Sequence, residues 1–266
     1  MKAGRILGLL VLFIFFCGCM QTVEKTTTTA PGESGNGRII IATSADMPPY
    51  TYVDDKGVVQ GFDIEVARAL CRKMNVECVF VVRKWETIIP GLLNGDYDAI
   101  ASEMAITDWR KEQVAFTKSY NDEASSSVFI ARKDANLVIS NEGLRGRKIS
   151  ATKETIYSHY LEGVYGGIAT IKLYDGDALA DEKNDLISGA IDAVFDDKEY
   201  LGDWVKENPN LVLVGEEVSD PKWLGDGVGI AVRKEDTRLL ERFNTALDEI
   251  KADGTYNSIN ETYNSQ

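Results

Sequence analysis

Hydrophobic positions along this chain switch between two rhythms. Ile39–Thr43 is a continuous run rich in β-branched residues and reads as a strand. From Phe62 to Met74 the apolar residues Ile64, Ala67, Leu70, Cys71 and Met74 recur at helical steps, the mark of a helix with one buried face. Val79–Val82 predicts a second strand. Thr87–Leu93 predicts a second helix, with Pro90 in its early turns, where a missing N–H costs least. Gly95 and Asp96 stop that helix, and Tyr97–Ala101 predicts a third strand. A β-α-β-α-β order implies parallel strands covered by helices. Ligands of such sheets sit outside the carboxyl ends of the strands.

A second set of elements begins near Ser127. Val128–Ala131, Lys148–Ala151, Ile168–Leu173 and Ile191–Asp196 predict strands, and Thr155–Leu161 and Ala180–Ser188 predict helices. Gly227–Val232 predicts one more strand, and Arg238–Asp253 a closing helix ended by Gly254. No repeat unit recurs along the chain, which excludes a solenoid. The pattern therefore predicts two α/β lobes joined near 121–126 and 217–223.

The N-terminal residues stand outside this pattern. Lys2 and Arg5 flank the start of the apolar stretch Ile6–Phe16, which is too short for an ordinary membrane span and has the form of an export signal. Phe16-Cys-Gly-Cys19 places a small residue directly before Cys19, as a lipoprotein cleavage site requires; an ordinary secretory signal is the alternative. Residues 1–18 are expected to be a lipoprotein signal peptide, with Cys19 the lipidation site. Residues 19–37 carry a run of threonines, then Pro31 and several glycines, and hold too little apolar material to build a core. They predict a flexible tether. A lipid on Cys19 would then hold a soluble domain at the outer face of the cell membrane.

Composition removes several function classes. The 266 residues are 44% hydrophobic and 27% charged, ordinary for a globular chain. A formal charge of −13 argues against a sequence-independent grip on nucleic acid. Of the cysteines, Cys17 leaves with the signal and Cys19 takes the lipid. Cys71 and Cys78 remain, either side of a helix end, and outside the cytoplasm they are expected to form a disulfide closing a short loop. Their spacing is wrong for a redox pair, and no nearby histidine completes a zinc site. No metal, cofactor or catalytic residue is expected.

The candidate chemistry lies in Ala99-Ile-Ala-Ser102 and the residues after it, Glu103, Met104, Ala105, then Thr107 and Arg110. An apolar strand ends in small polar residues, and an arginine follows. A strand stopping at a cleft exposes backbone groups there, and a guanidinium just beyond can hold a carboxylate through two parallel charge-assisted hydrogen bonds. That arrangement suits the α-carboxylate of an amino acid.

At this point the chain resembles the polar amino-acid branch, family 3, of the ABC-transporter solute-binding proteins. The likeness rests on an ordered set of matches over about residues 38–263. These are Met47-Pro-Pro-Tyr50, Gly61-Phe-Asp-Ile64, Cys71 with Cys78, Trp85 with Ile88-Ile-Pro90, Asp98-Ala-Ile100, and Ile106-Thr107 with Arg110. Beyond them come Ala115-Phe-Thr117, Ile191-Asp-Ala193 with Asp197, Gly225-Asp-Gly227, and Ala252-Asp-Gly-Thr-Tyr256. The resemblance implies a two-lobe, periplasmic-binding-protein-like (type II) α/β fold with a ligand cleft between the lobes. Residues 38–122 and 223–266 would form lobe 1, and 123–222 lobe 2. It implies that a bound ligand bridges the lobes, stabilises a closed form and is delivered to a membrane permease. The chain would act as a monomer.

Carried over residue by residue, Arg110 would hold the ligand carboxylate. Thr155 would bond the same carboxylate from a helix N-terminus, whose free N–H groups suit an anion. Asp197 would pair with the α-ammonium; taken alone, Phe195-Asp-Asp197 reads as a strand-end turn. Trp85 would pack on the ligand side chain, where its face attracts a cation; its alternative is a core tryptophan. Tyr50 would line the cleft, or pack at a strand end. Ser44, at a position that is acidic in some cationic-ligand binders, and Ser102, at a strand end, are further candidate ligand contacts. Ala105 stands where a hydroxyl is common, leaving only its backbone N–H. Glu103 replaces a small residue; facing the cleft it favours a cationic ligand, and paired with Lys153 it says nothing of specificity. Met47 replaces an aromatic, so an aromatic sandwich would be one-sided.

A basic amino acid, arginine first, is the expected ligand, with glutamine or another polar amino acid as the alternative. A periplasmic dehydratase-like enzyme and a sensor domain are the rival classes. His159, the single histidine, lies in Ser158-His-Tyr160 of a predicted helix and reads as packing or surface. Gly225-Asp-Gly-Val-Gly229 precedes a strand instead of following one, which excludes a dinucleotide fingerprint.

Overall fold

The computed structural model describes residues 37–121 and 126–264. The expected signal peptide, Cys19, nearly all of the expected tether and part of the first lobe junction lie outside the described residues. β1 (Arg38–Thr43) leads into a small antiparallel sheet of β2 (Asp46–Met47), β3 (Thr51–Val53) and β4 (Val59–Gln60). Then come α1 (Phe62–Lys73), β5 (Glu77–Val82), α2 (Trp85–Asn94), β6 (Ala99–Ile100), α3 (Asp108–Lys111) and β7 (Ala115–Phe116). The chain next forms β8 (Ser127–Arg132), β9 (Lys148–Thr152), α4 (Ile156–Tyr165), β10 (Thr170–Tyr174), α5 (Leu179–Ser188), β11 (Ala193–Asp197), α6 (Lys198–Glu207), β12 (Leu211–Val218) and α7 (Pro221–Leu224). It closes with β13 (Ala231–Val232), α8 (Thr237–Ala252) and α9 (Thr255–Asn264).

Two five-stranded sheets organise these elements, one in the order β5-β1-β6-β13-β7 and the other β10-β9-β11-β8-β12. β1 lies parallel to β5 and β6, as the alternating pattern requires, while β13 returns antiparallel to β6 and β7. The first sheet is thus completed by a strand that follows the whole second sheet in sequence. Both faces of each sheet are covered, which explains why the strands read as continuous apolar runs. Ile39 and Ile41 pack with Phe62, Leu70 and Phe243 on one face, and Ala42 and Ile100 with Ile88 and Leu92 on the other. In the second sheet Phe129 and Phe195, their ring centroids 4.6 Å apart, pack under α4, and Ile130 and Val194 meet Leu186 and Trp204. Each fully buried side chain of this size contributes about 1.5–3 kcal/mol relative to exposure.

Several element bounds differ from the pattern. The strand expected over Tyr97–Ala101 is only Ala99–Ile100, and that over Gly227–Val232 only Ala231–Val232. Val228 is drawn away to bridge both Ala105 and Asn121. Gly227, at φ +87°, brings backbone so near that a Cβ there would lie 2.7 Å from the Asn121 carbonyl oxygen. α2 starts at Trp85, two residues earlier than expected, which puts Pro90 in its second turn. α3, β7, α6, β12, α7, α9 and the small sheet were not anticipated. α9 has a polar outer face but sets Tyr256, Ile259 and Tyr263 against the first core. Cys71 and Cys78 form a disulfide with Cα atoms 6.0 Å apart, tying the end of α1 to β5. Among the described residues no helix is long and apolar enough to cross a membrane.

Candidate ligand-binding cleft

Two parallel strands bring their carboxyl ends together at the cleft. β1 and β6 lie side by side, and the residues just past their ends, Ser44 and Ser102, are bonded. Ser102 Oγ accepts the Ser44 N–H at 2.9 Å and lies 2.8 Å from Ser44 Oγ. The chain then turns through Glu103, which adopts a left-handed φ of +45°. Asp63, in the first turn of α1, accepts the Glu103 N–H and so fixes that turn. Asp63 lies on the sequence match Gly61-Phe-Asp-Ile64, yet its place in the cleft was not foreseen.

Thr107 caps α3, its hydroxyl accepting the Arg110 N–H at 3.3 Å. This helix start aims Arg110 inward, and the residue is 1% exposed. Its Nη1 donates to the Ala105 carbonyl at 3.0 Å and its Nη2 to the Glu154 carbonyl at 3.2 Å. Nε is buried without a partner, and burial depresses the guanidinium's pKa to about 9, with the charges of Tyr157 and Glu154 acting against it. Trp85 and Trp109 flank the guanidinium, with its Cζ 5.2 Å and 4.6 Å from their ring centroids. Ala105 contributes its carbonyl to Arg110, a role that its missing hydroxyl does not affect.

The opposite wall comes from the second lobe. Glu154, with φ +57°, precedes α4, and its carbonyl accepts from Trp85 Nε1 at 3.1 Å as well as from Arg110. Thr155 caps α4: its hydroxyl accepts the Ser158 N–H at 3.1 Å and donates to the Thr152 carbonyl at 2.6 Å. At the end of β11, Asp197 caps α6 by accepting from Glu199 and Tyr200, at 2.8 Å and 3.0 Å. The strand-end turn read from Phe195-Asp-Asp197 is therefore observed, at the residue that the resemblance assigns to the ligand ammonium. Asp196, buried beside it, accepts the Asp197 N–H at 2.7 Å. Burial raises the pKa of both carboxyls.

The tyrosines locate the second pole of the cleft. Burial raises the Tyr157 phenol, reinforced by the charges of Asp196, Asp197 and Glu103, with Arg110 acting against them. Tyr50 is half-buried, raised first by burial and then by Glu103, Glu199, Asp197 and Asp63. Tyr157 is thus within electrostatic reach of both the buried Arg110 guanidinium and the carboxyls of Asp196, Asp197 and Glu103. Glu103 does not pair with Lys153. That lysine bonds Asp175 at 2.7 Å, while Glu103 accepts from Asn121 Nδ2 at 3.5 Å. Trp85 is not plain core: its ring lies beside Arg110 and its indole N–H donates to the Glu154 carbonyl across the lobes.

Further contacts join the lobes. Trp109 stacks on His159 with centroids 4.0 Å apart and planes 20° from parallel. Lys84 pairs with Asp177 at 2.6 Å, and the Glu86 carboxylate accepts the Gly176 N–H. Neither His159 nor Trp109 carried a sequence signal for this contact, because the two lie on different lobes and touch only in the fold.

The sequence model of the bacterial extracellular solute-binding proteins, family 3, matches residues 39–266. The chain belongs to this family. It is 37% identical over 232 residues to ABC transporter arginine-binding protein 1 of Escherichia coli strain K12, covering 87% of this chain and 93% of that protein. Among solved structures it resembles a Salmonella typhimurium periplasmic binding protein studied for its high arginine specificity, with a TM-score of 0.73 and 34% identity over 85% of this chain and 98% of the other. It also resembles an ancestral arginine-binding protein bound to glutamine, with a TM-score of 0.72 and 33% identity over 86% and 98%. These relatives are binding proteins, and the two-lobe architecture is theirs. In this solute-binding protein no group of three or more His, Cys, Asp or Glu side chains among the described residues is placed to hold a metal.

Proposed function

We propose that this protein is the extracytoplasmic receptor of an ABC importer for a basic amino acid, arginine first. The observation that carries the reading is Arg110: a buried guanidinium with an unpartnered Nε, set opposite the carboxyls of Glu103 and Asp197. Arg110 takes the α-carboxylate, helped by the N-terminus of α4 at Thr155. Asp197 takes the α-ammonium. Ser44, Ser102, Ala105 and Tyr50 line the floor, and Trp85 offers a ring face to the side chain. Lobe 1 comprises residues 38–122 and 223–266, lobe 2 residues 123–222. Ligand bridging the two stabilises the closed form, which docks on a membrane permease as a monomer.

A lipid on Cys19 and the tether of residues 19–37 would keep the receptor at the outer face of the membrane. Turnover is not expected, because His159 is engaged with Trp109 and both cysteines of the folded domain are joined. Glutamine is the second ligand reading, favoured by the relative bound to glutamine. A stand-alone sensor is separated from an importer by co-purification of a permease or a signalling protein. The ligand reading is tested by thermal-shift screening of the ligand-free protein against the common amino acids and several opines. A ligand at about 100 times its Kd adds about 2.7 kcal/mol of stability. Strong shifts with arginine, lysine or ornithine support the proposal, and a flat response to every amino acid overturns it.

A further inference from the structure

Asp63 and Glu103 bring two carboxyl groups together without a cation. Asp63 is 1% exposed; its Oδ2 accepts the Glu103 N–H, and its Oδ1 is buried with no hydrogen-bond partner. Glu103 Oε1 accepts from Asn121, and its Oε2 is likewise buried and unpartnered. The titratable groups facing the pair are Tyr120, next to Asn121; Asp197, at the end of β11; and the phenols of Tyr50 and Tyr157. All of these are acids, and no lysine or arginine among the described residues forms an ion pair with either carboxyl. Two carboxylates so placed cannot both ionise without a large penalty. Burial pushes Asp63 up to about 6, and burial together with the Asp63 charge raises Glu103 well above the usual carboxylate range. Glu103 also holds a left-handed backbone, which persists only where neighbours enforce it. Asp63 supplies that constraint, so the position of Glu103 is built and not incidental.

We propose that Asp63 and Glu103 share one proton at the floor of the cleft and give it up when an α-ammonium group is seated between Glu103 and Asp197, so that amino-acid uptake releases a proton. This rests on the reading of the ligand as an amino acid. The ligand ammonium keeps its own protons. The carboxyl O–H breaks, its proton passes to solvent, and a charge-assisted hydrogen bond from the ammonium to the new carboxylate replaces it. Glu103 thereby becomes a second counter-charge for the ligand beside Asp197. Affinity should rise with pH, by about tenfold per pH unit where a whole proton is released.

The test is calorimetric titration of the ligand-free protein with L-arginine in two buffers of different ionisation enthalpy, at several pH values from about 6 to about 8. The expected result is release of close to one proton per arginine at the lower pH values, falling towards none in Glu103→Gln, whose affinity becomes nearly independent of pH. Arginine binding to the unaltered protein with no proton released, and with the same affinity at every pH, overturns the shared proton and leaves the arginine reading intact. Absence of arginine binding counts against that reading instead. The pair is then followed through carboxyl carbon shifts of ¹³C-labelled Asp and Glu in the ligand-free protein. A step displaced well above the ordinary carboxylate range, and lost in Glu103→Gln, supports the shared proton; ordinary titration of both groups overturns it.

Discussion

Arg110 donates from Nη2 to the carbonyl oxygen of Glu154 at 3.2 Å, so a first-lobe guanidinium is bonded to the turn that opens α4 in the second lobe. A neutral carbonyl is a weak partner for a buried cation, and burial depresses the Arg110 pKa accordingly. A ligand carboxylate in the same place would compensate that charge. The proposed function turns on this relationship.

Arg110→Met should separate binding from stability. The variant removes a buried charge whose hydrogen bonds go only to backbone carbonyls and keeps an apolar side chain of similar length, so the ligand-free protein should melt at the same temperature or higher. Arginine affinity should fall by about 2–5 kcal/mol. Calorimetry beside a thermal melt reads both, and near-native affinity would remove Arg110 from the site.

Asp197 plays two parts that one substitution can divide. Asparagine is as good an N-cap as aspartate, so Asp197→Asn should leave α6 capped and shift stability by no more than about 0.5 kcal/mol. The loss of the carboxylate should cost about 2–5 kcal/mol in amino-acid affinity. A variant that melts early and binds normally would mark Asp197 as a cap alone.

Glu182 predicts a pH dependence of stability. It is fully buried in α5, bonded to Ser150 Oγ at 2.6 Å, and burial raises its pKa from 4.5 to about 7. The folded form therefore holds this proton more tightly than the unfolded chain. Its contribution to stability is complete below about pH 4.5 and is lost as the pH rises towards 7. Glu182→Gln keeps a hydrogen-bond partner for Ser150 and should be more stable than the parent above neutral pH, by at most about 3 kcal/mol. Chemical denaturation of both proteins across pH checks it; parallel profiles would contradict the assignment.

The Cys71–Cys78 disulfide closes a short loop at the far end of α1. Replacing both residues by serine should lower stability by about 2–3 kcal/mol through the unfolded chain. Arginine affinity should stay within about twofold, since neither residue lies near Arg110 or Asp197. Denaturant unfolding and calorimetry on the same sample test both statements.

The alternating pattern was enough to place most strands and helices, because Ile39–Thr43 and Phe62–Lys73 bury faces at the periods of a strand and a helix. It overran at Tyr97–Ala101 and Gly227–Val232, where apolar residues continue past the ladder into backbone crossings between Ala105, Asn121 and Val228. It missed α9, whose Tyr256, Ile259 and Tyr263 are widely spaced among polar residues. Around the site, Arg110, Ser102 and Ala105 were legible because they follow one strand end. Asp63, Trp109, Glu154 and Tyr157 were not, because each reaches the cleft from another element or through backbone atoms. The sequence left Glu103 between facing the cleft and pairing with Lys153; the fold pairs Lys153 with Asp175 and bonds Glu103 to Asp63 and Asn121, neither of which was foreseen.

The most direct test compares L-arginine with agmatine, the same side chain and amine without the carboxylate, by calorimetric titration of the ligand-free protein. If Arg110 holds the α-carboxylate, arginine should bind and agmatine should be weaker by about 2–5 kcal/mol, with the difference abolished in Arg110→Met. Equal affinity for the two ligands would contradict a carboxylate-gripping arginine and with it the proposed orientation of the amino acid in the cleft.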